Sequence, residues 1–157
     1  MPIEIERKFL VAGNTWREQV RSRELLRQGY LDSAELCSVR VRAAGEHAWL
    51  NIKARRPGMS RLEFEYPIPL SDADAMLDEL CKGPLIEKYR HEIPAGGAHV
   101  WQVDEFLGLN HGLIVAEIEL SNEAEEFARP SWLGEEVTHD ERYYNHNLAQ
   151  RPYAEWK

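Results

Sequence analysis

The alternation Glu4-Ile5-Glu6-Arg7-Lys8 constrains the fold more than any other stretch of the chain. In an extended strand successive side chains point to opposite faces, so Glu4, Glu6 and Lys8 share one face while Ile3, Ile5 and Phe9 share the other. One such strand describes the wet face of any antiparallel sheet. Here the pattern recurs. Glu63 and Glu65 alternate with Leu62, Phe64 and Tyr66, and Glu117 and Glu119 with Ala116, Ile118 and Leu120. Basic residues follow the same grammar: Arg40 and Arg42 alternate with Val39 and Val41, Ile52 and Ala54 flank Lys53, and Lys88 and Arg90 alternate with Glu87 and Tyr89.

Each charged face points either to solvent or into an enclosed space. The outward arrangement leaves Ile3, Ile5, Phe9, Val39, Val41, Ile118 and Leu120 to fill a small barrel core, with surface charges of either sign scattered at random. Doublets of a single sign, acidic on three strands and basic on two, favour the inward arrangement, a polar tunnel. Buried charges are costly unless paired or bound to ions, so a tunnel of this kind should hold a ligand.

The strand pattern predicts eight strands, at about 2–11, 24–33, 36–44, 47–55, 61–68, 84–94, 99–106 and 113–120, enough to close a barrel. Ala44-Gly45-Glu46, Pro57-Gly58, Gly96-Gly97 and Asn110-His111-Gly112 mark reversals, and short turns imply antiparallel neighbours. Ser71 is a candidate N-cap for a helix through Ala73, Met76, Leu77 and Leu80 that Gly83 and Pro84 would stop. Asn14 and Ser121 are candidate caps of shorter helices, with Glu123, Glu125 and Glu126 on a solvated helix face. Thr138 and Glu141 form a capping-box pattern for a helix through Tyr143, Tyr144 and Leu148 that Pro152 closes. The expected class is therefore all-β dominated (α+β): an eight-stranded antiparallel β-barrel tunnel with covering helices and a C-terminal helix that plugs one mouth.

Composition narrows the function. A chain of 157 residues, 43% hydrophobic and without low-complexity stretches, fits one compact domain, residues 1–157. Its net charge of -8 argues against a general nucleic-acid or anionic-membrane binder, while leaving room for a local basic interior. Cys37 and Cys81 are the only cysteines, and with no apolar signal segment after Met1-Pro2 they read as reduced thiols in the cytoplasm. Apolar runs are too short to span a bilayer. Glycine-rich phosphate loops and HExxH, CxxC or GxSxG motifs are absent from the sequence. Clustered carboxylates are the oxygen ligands that Mg²⁺ or Mn²⁺ prefers, and Arg and Lys grip the phosphates that such ions bridge. A layered arrangement of carboxylate, metal, phosphate and base satisfies every charge.

In this light Glu4-Ile5-Glu6-Arg7-Lys8 resembles the N-terminal ExExK signature of the CYTH superfamily, the triphosphate tunnel metalloenzymes. The resemblance continues through Gln28-Gly29-Tyr30-Leu31, Val39-Arg40-Val41-Arg42, Ile52-Lys53, Glu63-Phe64-Glu65, Glu87-Lys88-Tyr89-Arg90, Val103-Asp104 and Glu117-Ile118-Glu119, and closes with Glu136-Val137-Thr138 and Arg142-Tyr143-Tyr144-Asn145. It implies a small triphosphate substrate and a divalent metal. Compact members with this N-terminus look most like inorganic triphosphatases, which hydrolyse tripolyphosphate to pyrophosphate and phosphate. Thiamine-triphosphatase, class IV adenylate cyclase and a non-catalytic polyphosphate- or nucleotide-binding module are the alternatives, and a homodimer is compatible with the resemblance.

By this resemblance Glu4, Glu6, Glu117 and Glu119 would hold the metal, with Glu63, Glu65 and Asp104 as secondary candidates. Lys8, Arg40, Arg42, Lys53, Lys88 and Arg90 would bind phosphates, and Tyr30, with its pKa lowered by Lys8, would be the base, implying an alkaline optimum. Arg55, Arg61 and Glu92 read as rim charges. His47, His91, His99, His111, His139 and His146 show no ligand spacing and are expected on the surface or in loops, and the five tryptophans in packing roles.

Overall fold

A computed structural model describes residues 3–33, 35–55 and 59–156. The strands are β1 (Ile3–Val11), β2 (Ser22–Ser33), β3 (Cys37–Ala44), β4 (His47–Ala54), β5 (Ser60–Ile68), β6 (Lys82–Pro94), β7 (Val100–Phe106), β8 (Ile114–Glu119) and β9 (Leu133–Glu136). They pair in the order β5-β4-β3-β2-β6-β7-β8-β1-β9, and β5 also pairs β1, which closes an eight-stranded antiparallel barrel. The hydrophobic alternation locates all eight within a few residues. β9, four residues long, is the strand it misses; it pairs β1 at Phe9 and Val11, beyond the three residue pairs that join β1 to β5. Ala44 pairs His47 across a two-residue turn in which Gly45 takes φ +60. The turn at Pro57-Gly58 lies outside the described residues.

Helix placement follows local hydrogen bonding more than the cap residues expected. In α1 (Leu70–Glu79) the N-cap is Pro69, whose carbonyl accepts from the amides of Asp72 and Ala73, so Ser71 falls inside the first turn. The helix ends at Leu80, and Gly83 and Pro84 belong to β6. Asn14 does stand at the N-cap of a short 3-10 helix, Thr15–Gln19, but its side chain makes no cap bond.

No helix follows Ser121. The Glu125 carboxylate takes the Ser121 amide, Asn122 Oδ1 takes that of Ala124, and Ser60 Oγ donates to Glu123, so side chains capture the groups a helix needs. The C-terminal segment is likewise split. A 3-10 turn, Glu141–Tyr143, is capped by Asp140 Oδ1 accepting from the Arg142 amide, and extended Tyr144 leads into α2 (Asn145–Gln150). Thr138 is no cap: its hydroxyl accepts from the Lys8 amide at 3.0 Å and donates to Glu136 at 2.6 Å, tying this segment to β1.

The apolar core lies mostly outside the barrel. Phe9, Ile93, Trp101, Val103, Ala116 and Ile118 face outward and pack with Trp16 and Trp132 from the covering segments. A second outer cluster joins Val41, Ala43 and Ala48 to Ala73 and Leu77 of α1. The third is different in kind. Leu10, Ile86, Phe106 and Val115 carry the parity of the inward charged residues, yet they pack with Val137, Tyr143, Leu148 and Ala149. One end of the barrel is thus apolar inside, and the segment around α2 seals it. No helix among the described residues is long and apolar enough to cross a membrane.

Gly29 marks the tightest approach in β2. A Cβ there would sit 2.7 Å from both Cys81 Sγ and Leu85 Cδ2, where the chain leaves α1 and enters β6. Gly29→Ala is expected to lower unfolding free energy in urea by about 1–3 kcal/mol, the usual cost of overpacking.

Candidate active site

The inward residues of the barrel surround a cavity of about 360 Å³. Its charge is segregated by strand. Adjacent strands β5, β1 and β8 contribute Glu63 and Glu65, Glu4 and Glu6, and Glu117 and Glu119, and the register places Glu6 opposite Glu119 and Glu117 opposite Lys8. Across the cavity β3 and β6 contribute Arg40, Arg42 and Arg90. Lys53 on β4 reaches into the acidic wall, where its Nζ stands 2.7 Å from Glu4, 3.4 Å from Glu63 and 3.8 Å from Glu6. Despite burial, Glu6 and Glu4 hold the Lys53 pKa above its ordinary value.

One ammonium does not neutralise this wall. Burial, with Glu4, Glu6 and Glu63 nearby, raises the Glu119 pKa above the usual carboxylate value. Such mutual repulsion between carboxylates is the electrostatic signature of a cation site. Among the described residues, however, no three His, Cys, Asp or Glu side chains converge closely enough to enclose an ion in this arrangement.

The basic wall is built as a network. Asp104 receives Arg90 at 2.8 and 2.9 Å and Lys88 Nζ at 2.8 Å. Lys88 Nζ also donates to Asn145 Oδ1 at 3.1 Å, the same oxygen accepts from Gln28 Nε2 at 2.8 Å, and Gln28 Oε1 accepts Arg42 Nε at 3.0 Å. Burial drives the Lys88 pKa down to about 7 against the pull of Asp104, and burial together with Arg40 and Arg90 lowers Arg42 to about 9. Burial works to raise the Asp104 pKa, but Arg90 and Lys88 outweigh it and hold it below the usual value. On the same wall Arg40 Nε is buried with no hydrogen-bond partner among the described residues, as is Arg61 Nε nearby. Buried donors are rarely left unmet, and these two are suited to an incoming anion.

Most sequence-predicted site residues therefore meet in one cavity: Glu4, Glu6, Lys8, Tyr30, Arg40, Arg42, Lys53, Glu63, Glu65, Arg90, Glu117 and Glu119 all line it. Lys88 and Asp104 do not. They sit fully buried behind the wall, where they fix Arg90 and Asn145. Lys8 Nζ lies 3.4 Å from Glu117 and donates to the Tyr143 carbonyl at 3.3 Å.

Several residues lie elsewhere than the sequence pattern suggests. Arg61, expected at the rim, is buried, lies 3.6 Å from Glu6 and stacks its guanidinium 4.7 Å from the Tyr144 ring centroid. His146, expected at the surface, is buried and lines the cavity. His91 is buried too, between the Trp16 ring and Glu105. Asn51, Asn145, Gln28 and Gln102 had no assigned role. Alternation would have found Arg61 and Asn51, two residues from Glu63 and Lys53, while Asn145 and His146 reach the cavity only through the fold of the plug.

Asp104 supplies the clearest energetic test. Asp104→Asn leaves Lys88 and Arg90 buried against a neutral partner, and the expected loss is about 3–5 kcal/mol of unfolding free energy. Because the native Asp104 pKa is depressed, its contribution is present above the unfolded value near ~3.9 and fades as pH falls through the native value. Urea unfolding of both proteins at pH 7 measures the difference.

Comparison with known proteins agrees with this geometry. A family model for the CYTH domain matches residues 2–153. Among curated proteins, the inorganic triphosphatase of Acetivibrio thermocellus is 46% identical over 98% of this chain and 97% of its own. That of Nitrosomonas europaea is 38% identical over 93% of this chain and 96% of its own. The crystal structure of an inorganic triphosphatase superposes with TM-score 0.68 at 32% identity, covering 95% of each chain. With its charged barrel, its plugged end and a match over nearly its whole length, the chain belongs to the CYTH domain family.

Proposed function

We propose that this chain is a metal-dependent triphosphatase that hydrolyses inorganic tripolyphosphate to pyrophosphate and orthophosphate within its tunnel. The observation that carries this reading is the pair of facing walls of opposite charge around one cavity of about 360 Å³, too small for a macromolecule and matched to a short polyanion. The full-length likeness to proteins named inorganic triphosphatase supports the same substrate.

The acidic wall fits a divalent cation, since its carboxylates crowd one another: Glu4, Glu6 and Glu63 gather around the single ammonium of Lys53, and burial together with Glu4, Glu6 and Glu63 raises the Glu119 pKa above the usual value. Glu4, Glu6, Glu117 and Glu119 would hold Mg²⁺ or Mn²⁺, with Glu63 and Glu65 beside them; the bound ion supplies Lewis-acid neutralisation of non-bridging phosphate oxygens. Lys53 competes for the same carboxylates in the ion's absence.

The remaining chemistry belongs to this chain's own side chains. Phosphoryl transfer depends on positioning and charge neutralisation. Arg40, Arg42 and Arg90 receive the chain, with guanidinium forks that match phosphate geometry, and they stabilise the negative charge that builds on the departing pyrophosphate. Lys88 and Asp104 act one layer back, holding Arg90 in place. Lys8 adds positive charge where Glu117 and β1 meet. Tyr30 stands at the boundary between the charged and the apolar interior, where its hydroxyl can orient the attacking water and, as the phenolate, its oxygen can take up that water's proton and become the phenol. Free Cys37 and Cys81 fit a reducing cytoplasm.

Phosphate release from tripolyphosphate, ATP and thiamine triphosphate is expected to be fastest on tripolyphosphate, to need Mg²⁺ or Mn²⁺, and to stop with EDTA. Glu6→Gln should cut turnover by about a hundredfold or more, and Arg40→Ala should raise KM by about tenfold. Absence of turnover on all three substrates by folded, metal-loaded protein would overturn the proposal.

Metal binding has an independent readout in thermal stability. Mn²⁺ at a hundredfold excess over its Kd should stabilise the native state by about 2.7 kcal/mol and raise Tm accordingly. In metal-free protein Glu119→Gln should itself raise Tm near pH 7, because it removes one of the repelling carboxylates, and it should shrink the further gain from Mn²⁺.

A further inference from the structure

The plug brings one titratable side chain into the tunnel that the proposed reaction does not use. Tyr144 and His146 line the main cavity and also a second, of about 180 Å³, whose other walls are Glu35, Arg55 and Glu141. These two rings therefore partition the tunnel from the outside at its plugged end. His146 is only 8% exposed, with the Tyr30 and Tyr144 ring centroids 6.3 and 6.1 Å from its own.

The charges that act on it most strongly are of one sign. Lys8 of β1, Lys53 of β4, Arg55 just beyond β4 and Arg61 of β5 all act on the imidazole. Of the acids that share its cavities, Glu35 and Glu141 belong to the outer one, while Glu4, Glu6, Glu63, Glu65, Glu117 and Glu119 line the main one, where Glu4, Glu6 and Glu63 pair with Lys53, Glu6 with Arg61 and Glu117 with Lys8. Burial, followed by repulsion from these cations, pulls its pKa down to about 4, so at neutral pH the ring is uncharged. A neutral histidine ringed by cations is an arrangement that an incoming anion inverts. Phosphate groups placed among Lys8, Lys53 and Arg61 convert the repulsion felt by an imidazolium into attraction.

Position selects which part of the substrate it meets. β2, β6 and β7 all run between the plugged end, at Tyr30, Ile86 and Phe106, and the opposite end, at Ser22, Glu92 and Val100. At that opposite end a second cavity of about 390 Å³ shares Arg42, Arg90 and Gln102 with the first and extends it to Arg23 and Trp49. A linear polyphosphate entering there meets the plug with its terminal group. A terminal phosphate carries one more ionisable oxygen than an internal one, and a cationic donor at the plug would pair with that extra charge.

We propose that His146 is the residue that reads the end of the phosphate chain, binding the terminal phosphate as an imidazolium formed by uptake of one proton from solvent when the substrate enters. No covalent bond changes in this step; the ring gains a proton on binding and returns it on product release. The inference rests on the triphosphatase reading of the tunnel.

The test is the His146 imidazole resonance, followed by 1H–13C NMR from pH 5 to 8 in the Mg²⁺-loaded protein, with and without diimidotriphosphate, the non-hydrolysable imido analogue of tripolyphosphate. Assignment comes from His146→Gln or, if that variant does not fold, by elimination with variants of the five other histidines. The expected result is a neutral ring throughout the range in the free protein and an imidazolium at pH 7 in the complex. His146→Gln should raise KM for tripolyphosphate by about tenfold with little change in kcat, and the KM of the wild type alone should climb as pH rises above the pKa in the complex. Binding of the analogue, measured calorimetrically, with His146 still neutral at pH 7 overturns this inference and leaves the triphosphatase reading standing. Failure of the analogue to bind overturns both.

Discussion

The structure depends on keeping like charges together inside a barrel and still making their burial tolerable. Glutamates from three adjacent strands form one wall, and guanidinium groups from β3 and β6 form the facing one. Each wall keeps an internal counter-charge. Lys53 stands among Glu4, Glu6 and Glu63, and Asp104 stands between Lys88 and Arg90. Neither counter-charge balances its wall: beyond the effect of burial, Glu4, Glu6 and Glu63 still push the Glu119 pKa up, and Arg40 and Arg90 still push that of Arg42 down. Had pairing been complete, the tunnel would be an inert set of salt bridges. The residual imbalance, negative on one side and positive on the other, is the electrostatic basis of the proposal that the cavity takes a cation and a polyanion together.

This use of the interior displaces the hydrophobic core. A barrel normally fills its inside with apolar side chains, but here the stabilising burial comes from aromatic clusters on the outer surface, around Phe9, Trp101 and Trp132, and from α1 lying on β3 and β4. The covering segments are thus more than decoration: without Trp16 and Trp132 the outer faces of β1, β6, β7 and β8 would be exposed to water. The rigidity of the charged wall is consequently borrowed from outside it.

Alternation made the barrel legible, because a period of two is the one sequence signal that survives whether a strand faces a core or a tunnel. It also held the position of the plug, unread. Along β1 the inward series runs Glu4, Glu6, Lys8 and then Leu10; along β8 it runs Glu119, Glu117 and then Val115; along β6 it runs Arg90, Lys88 and then Ile86. The switch from charge to hydrocarbon on a single face marks where the tunnel ends. Helix ends were less legible, since Ser71, Ser121 and Thr138 are residues with several possible hydrogen-bond partners, and tertiary contacts decided among them. Thr138 is the clearest instance: its hydroxyl serves β1 and Glu136, and Asp140 takes the capping role. The placement of His146 and Asn145 was hidden for a related reason, as both depend on how a short segment folds back over the barrel end.

The plug and the basic wall form one mechanical unit. Asn145 Oδ1 accepts from both Lys88 and Gln28, and through these it connects to Asp104 and Arg90 on one side and to Arg42 on the other. A displacement of α2 would therefore loosen the Arg42 and Arg90 guanidinium groups through this relay. Its apolar underside, Leu148 and Ala149 against Ile86 and Val115, supplies the burial that keeps Asn145 seated. Hydrophobic packing at the closed end thus fixes the geometry of charge at the centre, and an apolar side chain of the plug can set how firmly the guanidinium groups of the basic wall are held.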